Sequence, residues 1–128
     1  MPTFLKSLVV VYCSDIQASA HFYGEILGLE TCYRFPKIGE PEHIEYKIRE
    51  SVIGISSFKG LQSHGLPVEV SGHPFEIGLK TDDIFGLFEY LNKESVKIIK
   101  PPAKSEAGNY FGYISDPDGN WISIYQNA

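Results

Sequence analysis

Asp116-Pro117-Asp118-Gly119-Asn120 runs straight into Trp121-Ile122-Ser123-Ile124-Tyr125-Gln126, and this stretch decides how the chain is read. Its first five residues are a dense turn signal: proline fixes one φ, glycine admits a positive one, and Asp and Asn side chains bond nearby backbone. Behind the turn, Ile122 and Ile124 alternate with Trp121, Ser123 and Tyr125, the period-two pattern of a half-buried strand. Ahead of it, Tyr110–Ser115 has strand composition, so the two segments form a hairpin. Further back, Pro101 and Pro102 stop a short strand at Val96–Ile99. Thr81, Asp82 and Asp83 offer caps for a helix with apolar positions Ile84, Leu87, Phe88 and Leu91. Phe75–Lys80 alternates as a strand. The second half of the chain therefore reads βαβββ.

The first half has the same order. Leu5–Tyr12 is an apolar, β-branched run and reads as a buried strand. Ser14 and Asp15 supply an N-cap for a helix in which Ile16, Ala20, Tyr23 and Leu27 share a face, and Gly28 stands where a left-handed terminal residue belongs. Strands follow at Leu29–Phe35, His43–Ile48 and Val52–Phe58. Lys59–Gly72, with Gly60, Gly65, Pro67 and Gly72, reads as a linker. Asp15-Ile16 and Asp83-Ile84 precede their helices in the same way. The expected fold is α+β: one domain of two similar modules, residues 1–60 and 73–128, joined by a linker at 61–72.

Bulk properties narrow the function. The 128 residues, 43 % hydrophobic and 21 % charged, suit one globular domain. No apolar run approaches a membrane span, and MPTFLKSLVVVYCSD lacks the pattern of a signal peptide, so a cytoplasmic protein with no membrane partner is expected. Cys13 and Cys32 make no disulfide framework and read as reduced thiols. Eleven Lys+Arg against sixteen Asp+Glu give a net charge of −5, which weighs against nucleic acid. The sequence holds no GxSxG, GxxxxGK[ST] or GxGxxG motif.

FYGEILGLE at 22–30 and DPDGNWISIYQ at 116–126 resemble the two signature stretches of the glyoxalase / bleomycin-resistance / extradiol-dioxygenase superfamily, the vicinal oxygen chelate fold. The resemblance covers nearly the whole chain. It implies paired βαβββ modules whose curled mixed sheets surround a cavity, often completed by a second subunit. In the enzymes of that family a divalent metal is held by residues from the first and last strands of each module. Carried over one by one, those positions fall on Leu8, seven residues before Asp15, on Gly54 in SVIGISSF, on Glu76, six residues before Asp82, and on Ser123 after the DPDGN turn. Only Glu76 among these is a metal-binding side chain, whereas a catalytic site of this kind needs about three donors.

The same positions define an expected cavity wall of Leu8, Val10 and Tyr12, Gly54 and Ser56, Glu76 and Gly78, and Trp121, Ser123 and Tyr125, with Phe111 and Tyr113 beside them. The facing of His43–Ile48 depends on the turn at Arg49-Glu50. A two-residue loop pairs Glu45 with Gly54 and turns His43 and Glu45 inward, but Arg-Glu suits such a loop poorly. A three-residue loop pairs Tyr46 with Gly54, and this is the expected register, with Tyr46 on the wall. His21 reads as a surface residue, His64 lies in the linker, and His73 precedes Pro74. Glu76 has three open roles: a general base, an acceptor for a cationic ligand, or the partner of Lys80. The expected function is metal-free sequestration of a planar or cationic small molecule by a homodimer, with no cofactor. The alternatives are a metal-dependent lyase or dioxygenase with displaced ligands such as His43, Glu45 and Glu76, and a metal-free isomerase using Glu76 as its base.

Overall fold

Each βαβββ half forms its own four-stranded mixed sheet with one main helix against it. The computed structural model describes residue 3 and residues 5–66 and 75–127. The chain divides into two compact units between residues 70 and 71.

In the first unit the strands are β1 (Val9–Cys13), β2 (Glu30–Phe35), β3 (His43–Ile48) and β4 (Ser51–Ser57), in sheet order β1-β4-β3-β2. β1 runs parallel to β4, and the other pairs are antiparallel. Asp15 caps α1 (Ile16–Ala20) by accepting from the Gln17 and Ala18 amides at 3.0 and 3.2 Å. The helix widens into a π-helical stretch over His21–Ile26 and ends at Gly28, whose φ is +70°. The Leu29 amide reaches back to the Tyr23 carbonyl at 3.1 Å, closing the helix end. Ile16, Phe22 and Tyr23 bury against the side of the sheet that carries Val11, Cys13, Ile44, Tyr46, Ile53 and Ile55.

The second unit repeats this with β5 (Ile77–Lys80), β6 (Lys97–Lys104), β7 (Tyr110–Ser115) and β8 (Trp121–Gln126), in order β5-β8-β7-β6. Asp83 caps α3 (Ile84–Lys93), accepting from the Gly86 amide at 3.0 Å. Ile84, Phe88 and Leu91 bury with Ile77, Ile114, Ile122 and Ile124. Gly112 permits this closeness: a Cβ there would stand 2.7 Å from Phe88 Cζ and 2.9 Å from the Lys100 carbonyl oxygen. The turn between β7 and β8 is built around buried Asp116. Its Oδ1 accepts from the Asp118 and Asn120 amides at 2.9 and 2.8 Å, and Gly119 takes φ +84°.

The buried strand expected over Leu5–Tyr12 starts only at Val9 and runs to Cys13, with Leu5, Lys6, Ser7 and Leu8 exposed outside it, and three more expectations fail. The segment read as a linker begins with a helix, α2 (Phe58–Ser63), because Ser57 caps it onto the Gly60 amide at 3.0 Å. Gly60 there is a packing requirement: a Cβ would lie 2.7 Å from Glu42 Cβ. The strand at Val96–Ile99 does not stop at the prolines but continues through Pro101 and Pro102 to Lys104. β6 is an edge strand with register shifts on either side of Lys100, so the missing proline N–H groups interrupt no central ladder. Third, Ile48 pairs with Ser51, so Arg49-Glu50 is a two-residue loop, closed with Arg49 at φ +54°. Side chains alternate across a strand, so this one-residue difference turns all of β3 over.

Candidate functional site

The turned strand changes which residues face away from the helix in the first unit. Glu45 pairs with Gly54 and His43 with Ser56, so all four share the face opposite α1. Val10 and Tyr12 join them through their pairings with Gly54 and Ser56. Tyr33 and Phe35 join from β2, opposite Glu45 and His43. Tyr46, expected on this wall, lies on the other side. It is 1 % exposed, its ring 6.2 Å from that of Tyr23, and burial, with the nearby Cys13 thiol second, pushes its phenol up to about 12. Leu8 just precedes β1 and is partly exposed.

A polar line crosses this face. The Ser56 hydroxyl is 2.6 Å from His43 Nδ1, and His43 Nε2 is 2.8 Å from Glu45 Oε2. The imidazole occupies the space above Gly54, where a Cβ would stand 3.2 Å from His43 Cε1 and 3.3 Å from Val10 Cγ2. The Tyr33 ring lies 6.0 Å from the imidazole, tilted by 59°. Sequence reasoning included Ser56 in the wall but turned His43 and Glu45 away. The signal missed was the willingness of Arg49 to adopt a left-handed conformation, which no residue type at 49–50 advertises.

In the second unit the face opposite α3 carries Gly78, Ser123 and Tyr113 in one row. Lys80, Tyr125 and Phe111 form the next row, and Trp121 pairs with Ser115. The Tyr113 ring meets Trp121 edge-on at 6.1 Å and Phe111 at 6.4 Å. Lys100 Nζ stands 5.4 Å from the Phe111 ring centre. Glu76 is exposed and accepts from the Tyr113 hydroxyl at 3.2 Å. The Tyr113 phenol is held above its ordinary value, by desolvation first and then by the bond to Glu76 and its charge. Phe111, Tyr113, Trp121, Ser123 and Tyr125 are thus on one face.

Two of the remaining histidines, His21 and His64, lie elsewhere. His21 is exposed and bonds Glu25 at 2.8 Å. His64 follows α2, 3.2 Å from Glu42. His73 lies outside the described residues. A separate concavity of about 310 Å³ in the first unit, lined by Glu40, Glu42 and Lys59 among others, was not anticipated from sequence. Its Glu42 carboxylate is already held by His64 and, at 3.4 Å, by Ser63.

The sequence profile of the Glyoxalase/Bleomycin resistance protein/Dioxygenase superfamily matches residues 7–124. The chain belongs to this superfamily. An uncharacterized Bacillus subtilis (strain 168) protein, YwbC, is 28 % identical over 118 residues, 88 % of this chain and 89 % of that protein. A glyoxalase-related enzyme from Fulvimarina pelagi is 28 % identical with a TM-score of 0.70, covering 96 % of this chain and 89 % of that one. A glyoxalase/bleomycin resistance protein/dioxygenase family enzyme from Burkholderia phytofirmans PsJN shares the fold at a TM-score of 0.80, with 22 % identity over 95 % of this chain and 98 % of that one. The two mixed sheets with their helices match the vicinal oxygen chelate architecture of the superfamily.

The side chains at the superfamily's metal-ligand positions do not fit a catalytic metal. Leu8 and Gly54 carry no donor, and the room above Gly54 is filled by His43. The Ser123 hydroxyl is turned to the Ile77 carbonyl at 3.5 Å, and a neutral hydroxyl is a poor ligand. The carboxylate of Glu76 is engaged by Tyr113. Among the described residues, no three His, Cys, Asp or Glu side chains converge. Of the displaced set considered from sequence, the structure brings His43 and Glu45 together, while Glu76 bonds within the second unit. Also among the described residues, no helix is long and apolar enough to cross a membrane.

Proposed function

We propose that this superfamily member binds and sequesters a planar or cationic small molecule as a homodimer, without a metal cofactor. One observation carries this reading: Phe111, Tyr113, Trp121 and Tyr125 lie together on the face of the second sheet opposite α3, around the small residues Gly78 and Ser123. Such a face supplies flat apolar area with polar tips, as small-molecule sites do. The homodimer rests on a lesser point, the edge strand β2, whose unpaired backbone edge a second copy would cover.

Trp121 is the single tryptophan, so its fluorescence reports on this face alone. Titration with planar aromatic compounds such as 1-naphthol and quinoline is expected to quench it saturably. Trp121→Ala, followed by calorimetry, is expected to weaken binding by roughly 1–3 kcal/mol, the range for a lost stack with its buried area. Linear, unsaturable quenching across the panel, or equal affinity in the variant, would sink the proposal.

A further inference from the structure

The hydrogen-bond chain on the first unit's sheet has a direction, and that direction selects a ligand class. A carboxylate only accepts, so the proton between His43 and Glu45 belongs to Nε2. In the neutral imidazole Nδ1 is then an acceptor, and the 2.6 Å contact to Ser56 uses the serine's own proton. With the imidazole in that neutral tautomer, every proton in the line runs inward, from Ser56 to His43 to Glu45. What remains at the accessible end is acceptor capacity, the second oxygen of Glu45, while Ser56 at the other end is buried.

We propose that this line is a recognition site for a donor-rich planar cation of the amidinium or guanidinium class, a refinement that rests on the small-molecule-binding reading above. The surroundings suit such a ligand. Tyr12, Tyr33 and Phe35, between 40 and 49 % exposed, rise from the same face as Ser56, Glu45 and His43. A planar cation bonded at its edge to Glu45 gains further attraction from aromatic faces. Glu45 is accessible to it, with 18 % of its side chain exposed beside a His43 that is 22 % exposed. The chain's net charge of −5 favours the approach of a cation. His43 is a positioning residue here: it holds the Glu45 carboxylate while the buried Ser56 hydroxyl satisfies its other ring nitrogen.

The probes are benzamidinium and benzoate, the same ring bearing a donor-only cation or an acceptor-only anion. Binding to the full chain is followed by amide NMR shifts at His43–Glu45 and Gly54–Ser56. Benzamidinium is expected to give saturable shifts there and to bind at least tenfold tighter than benzoate. Glu45→Gln should cost benzamidinium tenfold or more. His43→Leu should collapse the preference between the two probes. His43→Gln should restore it, because an amide also donates to Glu45 while accepting from Ser56; a merely structural role for His43 would leave the preference unmoved in both variants. Equal binding of the probes, or shifts absent from these strands, overturns the proposal. If planar compounds still quench Trp121 in that event, the small-molecule reading stands and only the cation site falls; if neither response occurs, both fall.

Discussion

Alkaline pH should destabilise this protein through the buried phenol of Tyr46, and the size of the effect tests which way β3 faces. Tyr46 is 1 % exposed on the helix side of its sheet, and burial lifts its phenol from 10.0 to about 12. The folded state therefore holds this proton more tightly than the unfolded chain does. The stabilisation from that difference is fully present below the unfolded value of about 10 and disappears as pH rises through about 12. A shift of two units corresponds to about 2–3 kcal/mol in total, of which about 1 kcal/mol is lost by roughly pH 11. The assay is urea unfolding of the wild type and Tyr46→Phe, followed by far-UV circular dichroism from about pH 8 to about pH 11.5. Titrating groups distant from Tyr46 are present in both proteins and cancel in the difference. The wild type should lose stability relative to the variant as pH rises, by about 1–2 kcal/mol over this range. A difference that stays constant with pH would mean that the Tyr46 hydroxyl titrates in water. β3 would then face as the three-residue loop requires, and the Glu45–His43–Ser56 line would not exist.

Two further outcomes follow from packing and from donor chemistry. Gly112→Val places side-chain atoms where Phe88 Cζ and the Lys100 carbonyl already stand, so it should lower stability by about 1–3 kcal/mol in thermal or urea unfolding. A chelator should leave the melting temperature unchanged, and elemental analysis should find well under one transition-metal equivalent per chain; a melting temperature several degrees lower with chelator would show that donors converge after all.

The sequence carried the architecture because its strongest signals are local. Asp15 and Asp83 cap the helices as their positions imply, and Asp116 organises its turn with bonds to Asp118 and Asn120 that depend on no distant residue. The alternation of Trp121, Ser123 and Tyr125 against Ile122 and Ile124 survives because only one face of β8 is covered by α3. The misreadings share a different cause. Gly60 and the Pro101-Pro102 pair are breakers by intrinsic preference, yet one sits under Glu42 and the others lie on a sheet edge. Arg49 takes a conformation that its side chain disfavours, and the pairing of β3 with β4 outweighs that local cost.

That single turn matters most for function, because β3 supplies chemistry that the superfamily's ligand positions lack. Gly54 stands where the family resemblance calls for a carboxylate. The turned β3 sets a carboxylate, Glu45, directly across from it and sends the His43 ring into the space that a side chain at position 54 would fill. The two features depend on each other: a larger residue at 54 would meet the imidazole, and an imidazole elsewhere would leave a void over the glycine. Glu45 is thereby tied to His43 and Ser56 rather than to convergent donors from other strands. This bonding gives the face acceptors at fixed positions, the property of a surface that selects ligands by their hydrogen-bond donors.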